Sequence, residues 1–131
     1  MEDPEKEARQ IYNKIGRIWC AELNDHISFN SIGFRHLIWK GKARRPYSQK
    51  IKRLSLIPYA VDAITQPSQP VTKRYKKGYS SVTRDGMKIM IHTHVRFWAF
   101  STSANERTIR VIVRQANNGD KHFFSIFEEE K

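Results

Sequence analysis

The chain has 131 residues, a net charge of +11, 39% hydrophobic residues and a single cysteine. That length suits one domain, and the 11% aromatic content is too high for a disordered chain. No apolar run approaches the ~18 residues of a membrane span. The start MEDPEKEARQ is unlike a signal peptide, and Cys20 has no partner for a disulfide or a zinc site, so a cytoplasmic protein without membrane contact is expected.

Residues 4–24 read as an amphipathic helix, with Ala8, Ile11, Ile15, Ile18 and Trp19 on one face and Cys20 packed along it. Asp3 is its expected N-cap and Pro4 suits the first helical position. NDHISFN then breaks the pattern. Gly33–Arg53 holds eight Lys or Arg residues and no Asp or Glu, and its middle is expected to be a phosphate-gripping loop carrying Lys40, Lys42, Arg44 and Arg45. A second helix is expected from Ser48, with Ile51, Leu54, Ile57, Val61 and Ile64 buried and a kink or restart at Pro58. QPSQP (66–70) is the linker to the second half.

There the period changes to two. MKIMIHTHVRFWAFS, TIRVIVRQ and KHFFSIF alternate apolar and polar positions, and Asp85-Gly86 and Asn118-Gly119 are strong hairpin turns. TSANE is the loop between the middle pair, and its register stays open. The expected fold is α+β, one domain over 1–131, with helices at about 4–65 packed on a four-stranded antiparallel meander at about 71–128. The turns place His92 beside Tyr79, His94 beside Lys77 and Arg96 beside Tyr75. They also place Val113 opposite Phe124, Val111 opposite Ile126, Arg114 beside Phe123, Ile112 beside Ser125 and Arg110 beside Phe127. One sheet face is then expected to mix Arg, His, Lys, Ser, Tyr and Trp.

Charge narrows the chemistry. Seven of the thirteen acidic residues lie at the two ends. Between His26 and Phe127 only Asp62, Asp85, Glu106 and Asp120 oppose nineteen Lys and Arg. Such self-repulsion favours a polyanionic partner. Carboxylate-held Mg²⁺ is disfavoured by so few acids, and the surrounding cations disfavour zinc at His92 and His94. His with Arg or Lys can still cleave a phosphodiester whose nucleophile is already in place, which in RNA is the 2′-OH. The expected site has no metal and no cofactor.

The catalytic candidates are His36 as general base or acid, Arg110 and Arg114 on the pentavalent phosphate, Ser125 to position a phosphate, and His26 as an alternative imidazole. Lys40, Lys42, Arg44, Arg45 and Arg53 are candidates for backbone phosphates, and Trp98 and Tyr79 for stacking bases. The acidic ends are read as solubilising. A non-catalytic RNA-binding module using the same basic face remains the alternative.

The pattern H-x-x-FN…G-x-x-HL…R…RL from His26 to Leu54, with VRFWAF and the terminal run IRVIVRQANNGDKHFFSIF, resembles the barnase–EndoU–colicin–RelE group of nucleases found in phage and prophage polypeptides. The resemblance covers about residues 26–127. It implies a few helices against a curved antiparallel sheet, a metal-independent RNase acting on tRNA, rRNA or mRNA, a toxin-like role, and a cognate antitoxin or immunity protein, for which the charge suggests an acidic surface.

Overall fold

The computed structural model describes residues 3–129. Glu2 and Glu130, parts of the two acidic ends, lie outside the described residues. The fold is α+β. Helix α1 (Pro4–Ile15) leads into a hairpin of β1 (Arg17–Cys20) and β2 (Asp25–Ser28). Helix α2 (Ser31–Ile38), a small hairpin of β3 (Trp39–Lys40) and β4 (Ala43–Arg44), and helix α3 (Tyr47–Ser55) follow. A 3-10 turn at Ile57–Tyr59 joins α3 to α4 (Ala60–Thr65), and the chain ends in β5 (Thr72–Arg84), β6 (Met87–Ala104), β7 (Arg107–Ala116) and β8 (His122–Glu128).

The last four strands form the expected meander, but the sheet is larger. Its order is β1-β2-β8-β7-β6-β5, mostly antiparallel, with β2 joining β8 in parallel through Ser28 and His122 alone. The expected helix over 4–24 is therefore corrected. Asp3 does cap α1, accepting from Glu5 N at 3.0 Å. The helix stops at Gly16, whose φ of +64° combined with ψ of −95° suits a residue without a Cβ. Ala8 and Tyr12 are its buried residues, whereas Ile11 and Trp19 are largely exposed. Ile18, Trp19 and Cys20 belong to a strand whose apolar spacing happens to continue a helical stripe. Cys20 is buried there, and burial pushes its thiol pKa up.

Helix α2 was not expected. Asn30 caps it, accepting from Gly33 N at 3.3 Å, and Phe34, Leu37 and Ile38 form its buried face at helical spacing. Pro58 acts as expected, since α3 ends and the chain restarts after the 3-10 turn with Ile57, Ala60, Ala63 and Ile64 buried. The 66–70 linker is tied to the sheet, with Ser68 N donating to Ser101 O at 2.7 Å.

The core lies between the helices and one sheet face, where Trp98, Phe100, Ile109, Val111, Val113, Phe123 and Ile126 are buried. Each such side chain contributes about 1.5–3 kcal/mol. Tyr12 stands in the middle, its ring 5.2–5.6 Å from Phe29, Phe34 and Phe123, and its hydroxyl donates to Asn30 O at 2.6 Å.

Two registers matter for the site. The β5–β6 pairing is as expected, with Tyr79 opposite His92, Lys77 opposite His94 and Tyr75 opposite Arg96. Between β7 and β8, Arg110–Phe127, Val111–Ile126 and Ile112–Ser125 pair as expected. A bulge then shifts the ladder, so that Val113 meets Phe123 and Arg114 meets His122, in place of the expected Val113–Phe124 and Arg114–Phe123. Phe123 enters the core and Phe124 turns to the opposite face. The TSANE region is strand nearly throughout, turning only at Asn105-Glu106, both at positive φ.

Candidate nucleic-acid interface and histidine cluster

Strand alternation sends Arg110, Ile112 and Arg114 away from the core, because Ile109, Val111 and Val113 point into it. Phe97, Ala99 and Ser101 of β6 lie opposite them, and Thr72 and Arg74 of β5 lie beyond. This outer face is an open groove of ≈ 630 Å³ whose lining includes Arg74, Lys76, Phe97, Arg110, Ile112 and Phe127.

A second cluster is built at the edge of β8. Because β2 touches β8 only at His122, the rest of that edge carries no strand, and α2 and α3 come up against it. Gly33 makes the approach possible. A Cβ there would stand 2.2 Å from the Phe123 carbonyl oxygen, so any side chain would push α2 away. One turn on, the His36 ring stacks on Phe124 at 4.2 Å and 23°. Arg53 of α3 reaches Ser125 Oγ at 2.8 Å and Ile126 O at 3.4 Å. Arg45 is 9% exposed, and its Nε donates to the His36 carbonyl at 3.0 Å.

Burial, then the charges of Arg45 and Arg53, hold the His36 imidazole below its ordinary pKa of 6.5, so it is neutral at pH 7 and free to accept a proton. Burial lowers the pKa of both arginines too. Arg45, Arg53, Arg114 and Arg74 have no carboxylate within 4.0 Å among the described residues. Phe124 links this cluster to the groove, lying 5.8 Å from Phe97 with the Arg114 guanidinium 5.7 Å above its ring. A smaller opening of ≈ 240 Å³ beside it is lined by Arg35, His36, Trp39 and Phe124.

The structure thus gathers His36, Arg45, Arg53, Ser125 and Arg114, and separates the other candidates. Arg110 lines the groove but is paired, its Nη2 3.1 Å from Glu129 while its buried Nε has no partner. Glu129, the residue after β8, thus neutralises a cation that was expected to serve a phosphate. His26 lies on the β1–β2 hairpin, edge-on to Trp19 at 5.1 Å, in a polar recess with Arg17, Asp25 and Lys121. It shares neither ring contact nor cavity with His36.

Lys40 and Lys42 are exposed on the β3–β4 hairpin, and Arg44 pairs with Glu5 at 3.1 Å, so the expected four-cation loop is a short hairpin with Arg45 turned inward. Trp98 is a further correction. It pairs with Val113 on the core face and is 7% exposed, which leaves no free ring face for a base. Tyr79 is 70% exposed on the long β5–β6 hairpin. Because Arg96, His94 and His92 share the parity of Trp98, they lie on the opposite side of the sheet from Arg110 and Arg114, and the expected single mixed face is two faces.

His122 is buried. Its Nδ1 lies 3.1 Å from Phe123 O, which leaves Nε2 to accept from Arg114 Nη1 at 3.4 Å, and burial lowers its pKa. The residues missed by sequence reasoning are Phe124, Phe97 and Arg74. The Asp85-Gly86 turn pairs Arg74 with Phe97 by simple counting, whereas Phe124 is aimed by the bulge.

Among the described residues no three His, Cys, Asp or Glu side chains cluster closely enough to hold a metal ion, and no helix is long and apolar enough to cross a membrane. No protein-family model, curated protein or solved structure matches the chain.

Proposed function

We propose that the protein is a metal-independent endoribonuclease. The observation that carries this reading is a half-buried, neutral imidazole, His36, set against the buried guanidinium of Arg45 and the half-buried one of Arg53, both without carboxylate partners among the described residues, beside a basic groove that Phe124 and Phe97 link to it. Buried unpaired cations are costly to maintain unless an anion visits them. An α+β chain with helices against a mostly antiparallel sheet also accords with the fold implied by the barnase–EndoU–colicin–RelE resemblance.

In this reading the RNA backbone lies along the groove, and Arg74 and Arg114 hold phosphates with Phe97 beneath. His36 takes the 2′-OH proton as O2′ attacks phosphorus, and the P–O5′ bond breaks to leave a 2′,3′-cyclic phosphate. Arg53, oriented through Ser125, and Arg114 meet the charge that grows on the equatorial oxygens. The departing O5′ takes its proton from water in the open groove. Lys40 and Lys42 contact flanking phosphates. In the cytoplasm such an enzyme acts as a toxin, and an acidic antitoxin or immunity protein covers the groove in its producer.

The test is incubation with total tRNA and rRNA in EDTA, followed by end-group analysis. Fragments ending in 2′,3′-cyclic phosphate, and resistance of a substrate with hydrogen in place of the 2′-OH at the cut, are expected. Strict Mg²⁺ dependence or equal cutting of the deoxy substrate overturns the mechanism. Binding without any cleavage favours the RNA-binding module, which the exposed Lys40 and Lys42 would equally serve.

A further inference from the structure

The β5–β6 hairpin outgrows the sheet. β7 reaches only to Ala116, opposite Val95, so Met87–His94 and their partners Lys77–Arg84 have no third strand among the described residues. This two-stranded arm extends roughly 25 Å beyond the body at ~3.3 Å per residue. A bare ribbon is marginal in water and usually persists for what it contacts. Its root is fastened, with Asn117 Oδ1 accepting from His94 N at 2.9 Å and Asn117 N donating to His94 O at 2.6 Å.

One face of the arm and its root carries a row of four rings. Tyr79 and His92 lie 5.0 Å apart, His92 and His94 4.8 Å, and His94 and Tyr75 5.8 Å with planes at 30°. The Tyr75 hydroxyl is hydrogen-bonded to His94 Nδ1. The Lys77 and Arg96 cations stand 5.9 and 5.8 Å from the centre of the Tyr75 ring. Tyr79 is 70% exposed and Tyr75 44%, so neither is spent on the core. By strand parity Lys73, Lys77, Lys88 and Arg96 share this face, and none has a carboxylate within 4.0 Å among the described residues. By strand parity this face looks away from the groove of Arg110 and Arg114.

We infer that this ring-bearing face of the arm is a second nucleic-acid site, which binds a single-stranded RNA segment by stacking its unpaired bases on the Tyr and His rings. Rings in a row with interleaved cations suit a strand whose bases are free, because each base offers a flat face and each phosphate a charge. Duplex RNA keeps its bases stacked on one another and offers the rings nothing. An acidic peptide would use the cations and leave the rings idle. Cross-strand ring packing accounts for the pairing of Tyr79 with His92, but not for the two cations beside the exposed Tyr75 ring in the same row. The choice of RNA over DNA rests on the nuclease reading of the groove; binding at the arm requires no cleavage.

The probe is a ten-nucleotide single-stranded RNA, 2′-O-methylated so that it cannot be cut, titrated by fluorescence anisotropy in EDTA. Tyr79→Ala with His92→Ala is expected to weaken binding roughly five- to a hundred-fold, the range for losing a stacked base. Tyr79→Phe with His92→Phe keeps two rings and is expected to bind within about threefold of the wild type, an outcome that mere loss of ribbon stability does not produce. Binding of a blunt RNA duplex should be unchanged by the alanine pair. Wild-type affinity in the alanine pair overturns the inference and leaves the arm to an acidic protein partner, and an equal loss in the phenylalanine pair overturns stacking. Because the probe is uncleavable, a failure of the nuclease reading would show in the tRNA assay alone.

Discussion

Two polar clusters flank β8, and they treat their charges in opposite ways. Near its start, Lys121 is answered by Asp25 at 2.6 Å, the ammonium holds that carboxyl below its usual range, and His26 lies exposed beside them. Along its later edge, Arg45 and Arg53 are drawn out of water around His36 with no carboxylate to answer them among the described residues. The first arrangement is complete as it stands and joins the β1–β2 hairpin to the sheet. The second becomes electrostatically complete only when an anion arrives. Histidine content therefore says little about where chemistry occurs, and the neutralisation and hydration of the neighbouring cations say much more.

The strongest way to break this contrast is to remove each imidazole. His36→Ala should lower turnover on RNA by about 10²–10⁴, the usual contribution of a general base, with little change in binding. His26→Ala should cost less than twofold. Reversed outcomes would move the reaction to the β1–β2 side of the sheet and dissolve the distinction between the clusters.

Arg53 sharpens it further. If the proposed mechanism holds, Arg53→Ala removes a transition-state donor and should lower kcat by about 10²–10³, while Ser125→Ala, which loses only the side chain that Arg53 donates to, should cost about tenfold or less. Steady-state kinetics on one defined oligonucleotide separate the two. If both substitutions cost the same, Arg53 acts only through Ser125, and the charge on the phosphate must be met elsewhere.

The pH profile distinguishes the clusters without removing either histidine. In the proposed mechanism His36 is a neutral base, so activity should be retained above its folded pKa and lost as pH falls through it, on a limb below 6.5. Stability has the same sign. In the window between the folded pKa and 6.5 the unfolded chain binds more protons, so stability rises with pH there and is lost as pH falls, with buried His122 adding to the slope. Arg45→Met takes away one repelling charge and should move the activity limb upward. A limb that stays in place would mean that burial alone sets the imidazole.

How much of this was legible in the sequence depended on whether local chemistry decided the structure. Asp85-Gly86 dictated the β5–β6 register from two residues, and Pro58 marked the helix restart for the same reason. The β1–β2 hairpin was hidden because Ile15, Ile18 and Trp19 extend a helical spacing past Gly16, whose positive φ ends the helix. Helix α2 had its signals in Asn30, Phe34, Leu37 and Ile38, but its eight residues give too short a stripe to stand out, and no element was expected there. The groove arginines on β7 followed from alternation. The His36 cluster did not, because it depends on the bulge that aims Phe124 and on how closely Gly33 lets α2 approach β8, and both are properties of packing. The acidic end was misjudged for a related reason, since its value depends on what lies across from it.

That acidic end supplies the smallest test. Glu129 sits 3.1 Å from Arg110 at the groove, with both side chains partly exposed, so the pair is worth at most about 1 kcal/mol. Glu129→Gln frees one groove cation for a phosphate. RNA should then bind about two- to fivefold more tightly at low salt, and the double-logarithmic salt slope should steepen by about 0.7, the value of one added phosphate contact on a single strand. The same substitution should leave the pH limb unmoved, because Glu129 is absent from the charges acting on His36. Tighter binding with an unchanged slope would show that the carboxylate blocks the groove by bulk rather than by charge. Unchanged affinity would mean that Arg110 holds the sheet face together and that the RNA path runs through Arg74 and Arg114 alone.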